Sequence, residues 1–238
     1  MKQLMINADD FGFSEGHNYG IIKAFTEGVV TSTTIMANMP GFEHAVMLAK
    51  QHPKLAIGVH LNLTCYRPLT SNHTLMNEKG YFRGEDFLEY YDQREMLAEL
   101  KAQVNRVLDA GLTIDHFDSH HHIHTNAVMK GVLKQLLADY PYPMRGGFTY
   151  EMPVIHTELI DQFYNQKVTK EQLFDIFHQL EDGKVYDLMC HPAYLDPQIL
   201  ELSSYTIPRV KEVEILCDPE VRVQLAKEKI QLINYSAI

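Results

Sequence analysis

Residues 4–27, with the sequence LMINADDFGFSEGHNYGIIKAFTE, decide the fold because they contain a complete strand–turn–helix unit. The apolar run over 4–8 predicts a strand, and the amphipathic stretch over 16–27 predicts a helix. Asp9 and Asp10 end the strand, and Gly12 permits a tight turn after them.

The same alternation continues along the chain. We predict further strands over 33–38, 55–61, 113–117, 185–190 and 230–235, with another ending near 144–145. Helices are expected over 42–51, 85–110 and 126–139, after a Thr169 cap and after Asp218-Pro219. Strands that alternate with helices imply parallel strand–helix units. The sequence therefore predicts a single α/β domain over 1–238, a distorted or incomplete (βα) TIM-like barrel of about seven parallel strands rather than an open doubly wound sheet.

The composition argues against several classes of partner. The formal net charge is -10 and Lys and Arg do not cluster, so neither nucleic acid nor an anionic membrane is expected as a partner. Three widely spaced cysteines, an odd number, do not indicate a disulfide framework. No uncharged apolar run has the length of a membrane span, and the first residues do not resemble a signal peptide. We therefore expect a cytoplasmic protein.

The strongest functional feature is the segment HFDSHHHIH at 116–124, which contains five of the thirteen histidines and one carboxylate. Neutral imidazole is the commonest metal ligand, and short histidine-rich tracts often bind metal. A loop with incidental histidines is the alternative. The density of imidazoles favours a metal-binding or catalytic role.

Other titratable residues lie at the ends of predicted strands. Asp9 and Asp10 follow the first strand, His60 lies near the end of the third, and His191 ends the strand over 185–190. Each taken singly has a structural explanation, as a helix cap or a hydrogen-bonded histidine. The carboxyl ends of barrel strands carry the active site, so we expect these residues to converge.

A carboxylate and two imidazoles, with positions left open, are the plan of a catalytic metal centre. Such a centre acidifies water and polarises a carbonyl, while a second carboxylate accepts a proton and a histidine donates one. Asp9 and Asp10 would supply base and ligand from adjacent positions. Neighbours on a strand face opposite sides, so the turn after them must bend the backbone for both to reach one pocket.

Several motifs spread over nearly the whole chain carry a resemblance: NADDFG at 7–12, NYGII at 18–22, VTSTT at 30–34, DSHHHIH at 118–124 and MCHPA at 189–193. With them the chain resembles the YdjC-like carbohydrate deacetylases, in particular the chitooligosaccharide deacetylases of bacterial chitobiose operons. The resemblance is weakest over 70–112 and 146–184, where substrate choice could differ.

The resemblance implies hydrolysis of the acetamide of an N-acetylglucosamine unit in a short chitin-derived oligosaccharide, with or without a 6-phosphate. It also implies one magnesium-type ion held by Asp10, His60 and His120, with Asp9 as base and His191 as acid. A homodimer is expected from the resemblance alone. The donor atoms themselves favour other metals than the one the resemblance implies. Two imidazoles and one carboxylate suit zinc, cobalt, nickel or manganese better than magnesium.

Neighbouring residues have more than one interpretation. On an extended segment, His122 and His124 would share one side with His120 and contact a ligand or the substrate. His116 is expected to be structural. Asp118 would either orient a ligand histidine or form a turn.

Four more residues are weighed in the same way. Cys190 is expected to be a small buried hydrophobe. Arg209 and Glu212, three apart on a helical stretch, predict a surface ion pair, with sugar binding as the alternative. By the resemblance, Arg145 would orient Asp9.

Two alternatives remain for the function of the whole protein. It could be another metal hydrolase, such as a phosphoesterase or amidohydrolase, or a non-catalytic sugar-binding protein.

Overall fold

The computed structural model describes residues 1–238 as a curled sheet of seven parallel strands with helices packed around it. The strands are β1 (Lys2–Phe11), β2 (Ser32–Ile35), β3 (Ala56–Leu61), β4 (Phe117–Ser119), β5 (Glu158–Ile160), β6 (Val185–Cys190) and β7 (Ile230–Leu232). Their order is β4-β3-β2-β1-β6-β5, and β7 pairs with β1 outside this path. This α/β architecture is a distorted TIM-like barrel, which confirms the predicted fold class.

Eight α-helices connect and cover the strands. They are α1 (Glu15–Thr26), α2 (Phe42–Gln51), α3 (Gln93–Asp109), α4 (Lys130–Asp139), α5 (Lys170–Gln179), α6 (Pro197–Leu202), α7 (Ile207–Leu216) and α8 (Pro219–Lys227). Both predicted caps form, because the side chains of Thr169 and Asp218 accept hydrogen bonds from backbone N–H groups in the first turns of α5 and α8. None of the helices has the length and apolar character needed to cross a membrane.

β1 is the central strand and pairs with three others. β6 lies along residues 3–8 of β1, β7 along residues 2–4, and β2 along residues 7–11. From Leu4 to Phe11 every residue of β1 is buried. A strand that is buried on both faces has a nearly continuous apolar sequence. The apolar run over 4–8 is therefore enough to predict β1.

Several element boundaries differ from the prediction. The helix expected over 85–110 is two elements, a 3-10 helix at Glu85–Tyr90 and then α3, because the Asp92 side chain accepts from N–H groups of the first turn of α3 and starts a new helix. The strand expected over 113–117 begins only at Phe117, and the last strand ends at Leu232 rather than at residue 235.

The segment expected to end a strand near 144–145 makes only single bridges. Met144 pairs with Phe117 of β4 on one side and with His156 on the other, so it fills the gap between β4 and β5 without forming a regular strand. Prolines at 141 and 143 precede it, and a proline has no N–H to donate to a ladder.

The interior is a cluster of 52 buried hydrophobic residues that joins the sheet to its surrounding helices. Because the strands are parallel, their carboxyl ends lie at one edge of the sheet. The polar residues that end β1, β3, β4 and β6 are therefore brought to that edge.

Candidate active site

A pocket of about 650 Å³ opens at the carboxyl ends of the strands. The five side chains predicted for the site all line it: Asp9, Asp10, His60, His120 and His191. Four different strands or the turns after them supply these residues, so the convergence expected from the barrel topology is present.

A local distortion of β1 turns consecutive aspartates toward the same pocket. Asp10 has a backbone φ of 68°, in the left-handed region, and the register between β1 and β2 shifts in this stretch. The following turn is held by Asn18, whose Oδ1 accepts from the backbone N–H of Gly12 at 2.6 Å. Asp9 and Asp10 therefore do not alternate as regular strand neighbours would.

Asp10, His60 and His120 form a compact cluster of potential metal ligands. Asp10 Oδ1 lies 2.9 Å from Nδ1 of His120 and 3.3 Å from Nε2 of His60. One donor atom from each residue lies within 4.8 Å of the other two. These three side chains could hold a single cation.

The electrostatics of this cluster favour positive charge. Burial opposes protonation of the histidines, yet the carboxylates of Asp118 and Asp10 raise the pKa of His60 to about 10. Burial opposes protonation of His120 as well, and Asp10 raises the pKa of that ring to about 9. A histidine that binds a metal ion through a ring nitrogen gives up the proton on that nitrogen. The carboxylate charge that stabilises a proton there can also attract a metal ion.

Asp118 fixes the orientation of His60. Its Oδ1 accepts from Nδ1 of His60 at 2.7 Å, and its Oδ2 accepts from the Thr34 hydroxyl at 2.9 Å. Nε2 of His60 is thereby directed toward Asp10. This carboxylate–histidine arrangement is typical of the groups that support a metal ligand.

Arg145 binds the Asp9 carboxylate with two hydrogen bonds. Its Nη1 donates to Oδ2 at 2.6 Å and its Nη2 donates to Oδ1 at 2.7 Å. The amide of Asn7 also donates to Asp9 Oδ1, at 2.9 Å. A bidentate guanidinium–carboxylate pair holds its carboxylate in one geometry.

Arg209 and Glu212 do not form the surface ion pair predicted from their spacing. Both are buried, with 3% and 0% of their surface exposed, because α7 packs its polar face against the site. Nη1 and Nη2 of Arg209 each donate to Asp10 Oδ2 at 3.2 Å. Glu212 accepts from the backbone N–H of His191 and from the Tyr205 hydroxyl.

His191 lies across the pocket on the segment that follows β6. Helix α1 packs tightly on this segment, since a Cβ added at Gly20 would lie 2.4 Å from Cα of Ala193. Nδ1 of His191 is buried without a hydrogen-bond partner. Burial, aided by Arg209, lowers the pKa of the ring to about 4, so it is neutral at pH 7 in this state.

The histidine-rich segment is a turn and not the extended chain assumed from its sequence. His121 and His122 have φ values of 53° and 51°, so the alternation expected for His120, His122 and His124 does not hold. His121 and His122 line the pocket. His124 points away from it, and its ring bonds the Ser119 hydroxyl and the Gly146 carbonyl.

Two other residues weighed from the sequence are buried. His116 precedes β4 with its ring stacked on Tyr235 at a centroid distance of 3.8 Å. Cys190 is buried as predicted, and its thiol donates to the Asn7 carbonyl.

Sequence reasoning missed three residues that support the site: Asn7, Asp187 and Tyr235. Asp187 was detectable in principle, because a carboxylate inside the otherwise apolar strand β6 requires a buried partner. Its Oδ2 accepts from Nε of Arg145 at 2.9 Å and from the Tyr235 hydroxyl at 2.6 Å.

Comparison with known proteins identifies the family of this chain. The family model for YdjC-like proteins matches residues 3–227. A Geobacillus stearothermophilus protein named carbohydrate deacetylase is 43% identical over 239 residues, covering 98% of this chain and 97% of the relative. A carbohydrate deacetylase of Vibrio parahaemolyticus is 37% identical over 243 residues, covering 99% and 96%.

Solved structures show the same fold. A protein of Enterococcus faecalis V583, provisionally described as a cellobiose-phosphate cleavage protein, has a TM-score of 0.93 at 35% identity and covers 99% of this chain and 98% of its own. A family 4 carbohydrate esterase of Streptomyces lividans has a TM-score of 0.55 at 12% identity, covering 99% and 94%, which is a likeness of fold alone. The chain therefore belongs to the YdjC-like family of carbohydrate deacetylases.

Proposed function

We propose that this protein hydrolyses the acetamide of an N-acetylglucosamine unit in a short chitin-derived oligosaccharide, using one divalent metal ion. The observation that carries the proposal is the cluster of Asp10, His60 and His120 within 4.8 Å of one another. Asp9 and His191 line the same pocket. A metal-ligand set, a carboxylate base and a histidine acid in one concave site are the groups that amide hydrolysis requires.

The residues present fit a divalent cation. Asp10, His60 and His120 would hold it, and Asp118 supports His60 from the far side of the ring. A cation bound there would polarise the acetyl carbonyl and stabilise the negative charge that develops on its oxygen. The resemblance to the family names magnesium, whereas two imidazole donors favour zinc, cobalt, manganese or nickel.

The proton transfers are assigned to residues of this chain. Asp9 accepts a proton from the attacking water, and the two hydrogen bonds from Arg145 orient its carboxylate for that step. His191 gives a proton to the departing sugar amine. Because its ring is neutral at pH 7 in the resting protein, it first takes that proton from solvent, and Asp9 returns the proton it accepted to solvent when the products leave.

The outer part of the pocket offers surfaces for sugar rings. Tyr164 and Tyr205 line it and stack on each other at 4.3 Å, and Tyr66 and Tyr81 line it from the other side. Aromatic rings on a pocket wall can contact the apolar faces of sugars. Tyr81 and Tyr164 belong to the two segments where the resemblance is weakest, so these two rings would contribute to selection of oligosaccharide length.

The test is incubation of the purified protein with diacetylchitobiose, its 6-phosphate and longer oligomers, with each divalent metal ion in turn. Mass spectrometry of the products and an acetate assay should show loss of one acetyl group that depends on added metal and stops with a chelator. Release of phosphate without acetate would instead identify a phosphoesterase. Binding of diacetylchitobiose without turnover by any metal form would identify a sugar-binding protein.

A further inference from the structure

We propose that Tyr235 is a positioning residue for Asp9 and acts through Asp187 and Arg145. This inference rests on the role of Asp9 as the base in the proposed deacetylation. Tyr235 does not line the pocket. Its hydroxyl is nevertheless joined to the Asp9 carboxylate by an unbroken chain of hydrogen bonds.

Each link of the chain is short and buried. The Tyr235 hydroxyl donates to Oδ2 of Asp187 at 2.6 Å. The same carboxylate accepts from Arg145, from Nε at 2.9 Å and from Nη2 at 3.3 Å. Arg145 donates in turn to both oxygens of Asp9, at 2.6 Å and 2.7 Å. The four residues are 0% or 1% exposed, so the links from Tyr235 to Arg145 are shielded from solvent.

The charges explain why the hydroxyl matters. Arg145 serves three carboxylates, because its Nη1 also lies 2.8 Å from Oδ2 of Asp118. One guanidinium charge is therefore shared among Asp9, Asp118 and Asp187. The Tyr235 hydroxyl is the other hydrogen-bond donor to the Asp187 side chain. If that donor is removed, Asp187 becomes a stronger competitor for Arg145, and the guanidinium is drawn away from Asp9.

Packing holds the hydroxyl at this place. The Tyr235 ring stacks on His116 with an interplanar angle of 6°, and its oxygen lies 3.2 Å from the Thr157 hydroxyl. The preceding strand, β7, pairs with the first residues of β1, the strand that carries Asp9. The tyrosine is thus fixed relative to the strand that carries the base, which a positioning role requires.

The experiment compares kcat and KM for acetate release by the metal-loaded protein and its variants. Tyr235→Phe is expected to lower kcat about tenfold with KM within about twofold of wild type, because the change displaces the base used in the chemical step and no group that binds the sugar. The matched control is Tyr140→Phe, which also loses a tyrosine hydroxyl bond, here to Asn105 at 2.7 Å, far from this chain of side chains. It should leave both constants unchanged.

A double-mutant cycle separates positioning from a general loss of stability. If Tyr235 acts through Asp9, Tyr235→Phe should cause no further loss of kcat in an Asp9→Asn background. An undiminished tenfold loss in that background, or an unchanged kcat in the single variant, would overturn the inference. Should Tyr235→Phe not fold, Asp187→Asn takes its place: it removes the competing charge, so Arg145 should stay on Asp9 with kcat within about twofold of wild type, and a tenfold loss of kcat would overturn the inference. Absence of acetate release by the wild type would refute the proposed function itself. If Asp9→Asn lowers kcat but Tyr235→Phe leaves kcat unchanged, only the inference about Tyr235 is refuted.

Discussion

Asp9 and Asp10 are adjacent in the chain, yet their carboxylates bind separate sets of partners. Asp9 is held by Arg145, while Asp10 faces His120 and His60 through one oxygen and Arg209 through the other. The left-handed backbone at Asp10, with φ of 68°, makes this division possible. It lets one strand end deliver a base and a ligand to the same pocket.

The first prediction concerns Asp10→Asn. Asparagine adopts the left-handed backbone about as readily as aspartate, so the protein should remain folded. The loss of the carboxylate should reduce bound metal and lower acetate release by more than about 100-fold, beyond the loss typical of a merely supporting residue. Elemental analysis of the purified variant and an acetate assay measure both. Asp109→Asn, at the exposed end of α3, is the matched control. Near-normal acetate release by Asp10→Asn in chelator would contradict the assigned ligand set.

The second prediction concerns the support of His60 by Asp118. Asp118→Asn keeps the shape of the side chain but weakens the bond from Nδ1 of His60. Metal affinity should fall by about 10- to 100-fold, the range seen for residues that orient a metal-bound histidine. Titration of the metal-free variant with each divalent ion measures the dissociation constant. An unchanged constant for every ion would show that His60 needs no such support.

The third prediction separates acid catalysis from metal binding. His191 contacts neither Asp10 nor the two histidines by a hydrogen bond, so His191→Gln should retain its metal. Removal of a general acid typically costs about 100- to 10000-fold in rate. We expect kcat to fall in that range with the metal content of wild type. Equal losses of metal and activity would mean that His191 is a ligand and not the acid.

Much of this site followed from the sequence, and the reason is topological. Asp9, Asp10, His60 and His191 lie at or just after the carboxyl ends of strands, and parallel strands place these ends together whatever the side-chain packing. The extended backbone assumed for the histidine-rich segment was wrong, because consecutive histidines contain no signal for the left-handed angles found at 121 and 122.

The supporting residues were harder to predict because their partners are distant in sequence. Arg209 was expected on the surface, since its spacing from Glu212 fits an ordinary helical ion pair. Packing of α7 against the pocket decided otherwise, and helical periodicity does not reveal which tertiary neighbour a polar face will meet. Tyr235 meets Asp187 only through the pairing of β7 with β1, a contact that the sequence pattern alone does not specify.

The fourth prediction is a pH dependence of stability that arises from Glu212. Burial raises the pKa of this carboxyl to about 8 in the folded protein, well above its ordinary value of 4.5. A raised folded pKa stabilises the fold below the unfolded pKa, and this contribution is lost as the pH rises through about 8. Relative to Glu212→Gln, wild type should therefore lose thermal stability from about pH 4.5 to pH 8 and change little above. Melting curves of both proteins across this range measure the difference, and a constant difference would show that Glu212 is ionised throughout.

The last prediction concerns the charge of the substrate. Glu85 and Asp161 are exposed residues that line the pocket, while its one arginine, Arg209, is buried and bound to Asp10. A phosphate on the sugar would meet negative charge without a free arginine in this lining. We expect a higher KM for the 6-phosphate of diacetylchitobiose than for the neutral disaccharide, by several-fold at low ionic strength and less at high ionic strength, because salt screens exposed charges over about 10 Å.

Neutralising the two rim acids provides the direct check. Glu85→Gln and Asp161→Asn should each lower the KM for the phosphorylated disaccharide while leaving the neutral one unaffected. Glu89→Gln, an exposed acid in the same 3-10 helix that does not line the pocket, is the matched control and should change neither constant. A lower KM for the phosphorylated disaccharide in the wild type would instead mean that a cation outside this lining reaches the phosphate. Arg67, whose guanidinium lies 4.3 Å above the ring of Tyr81 at the pocket wall, would then be the residue to replace.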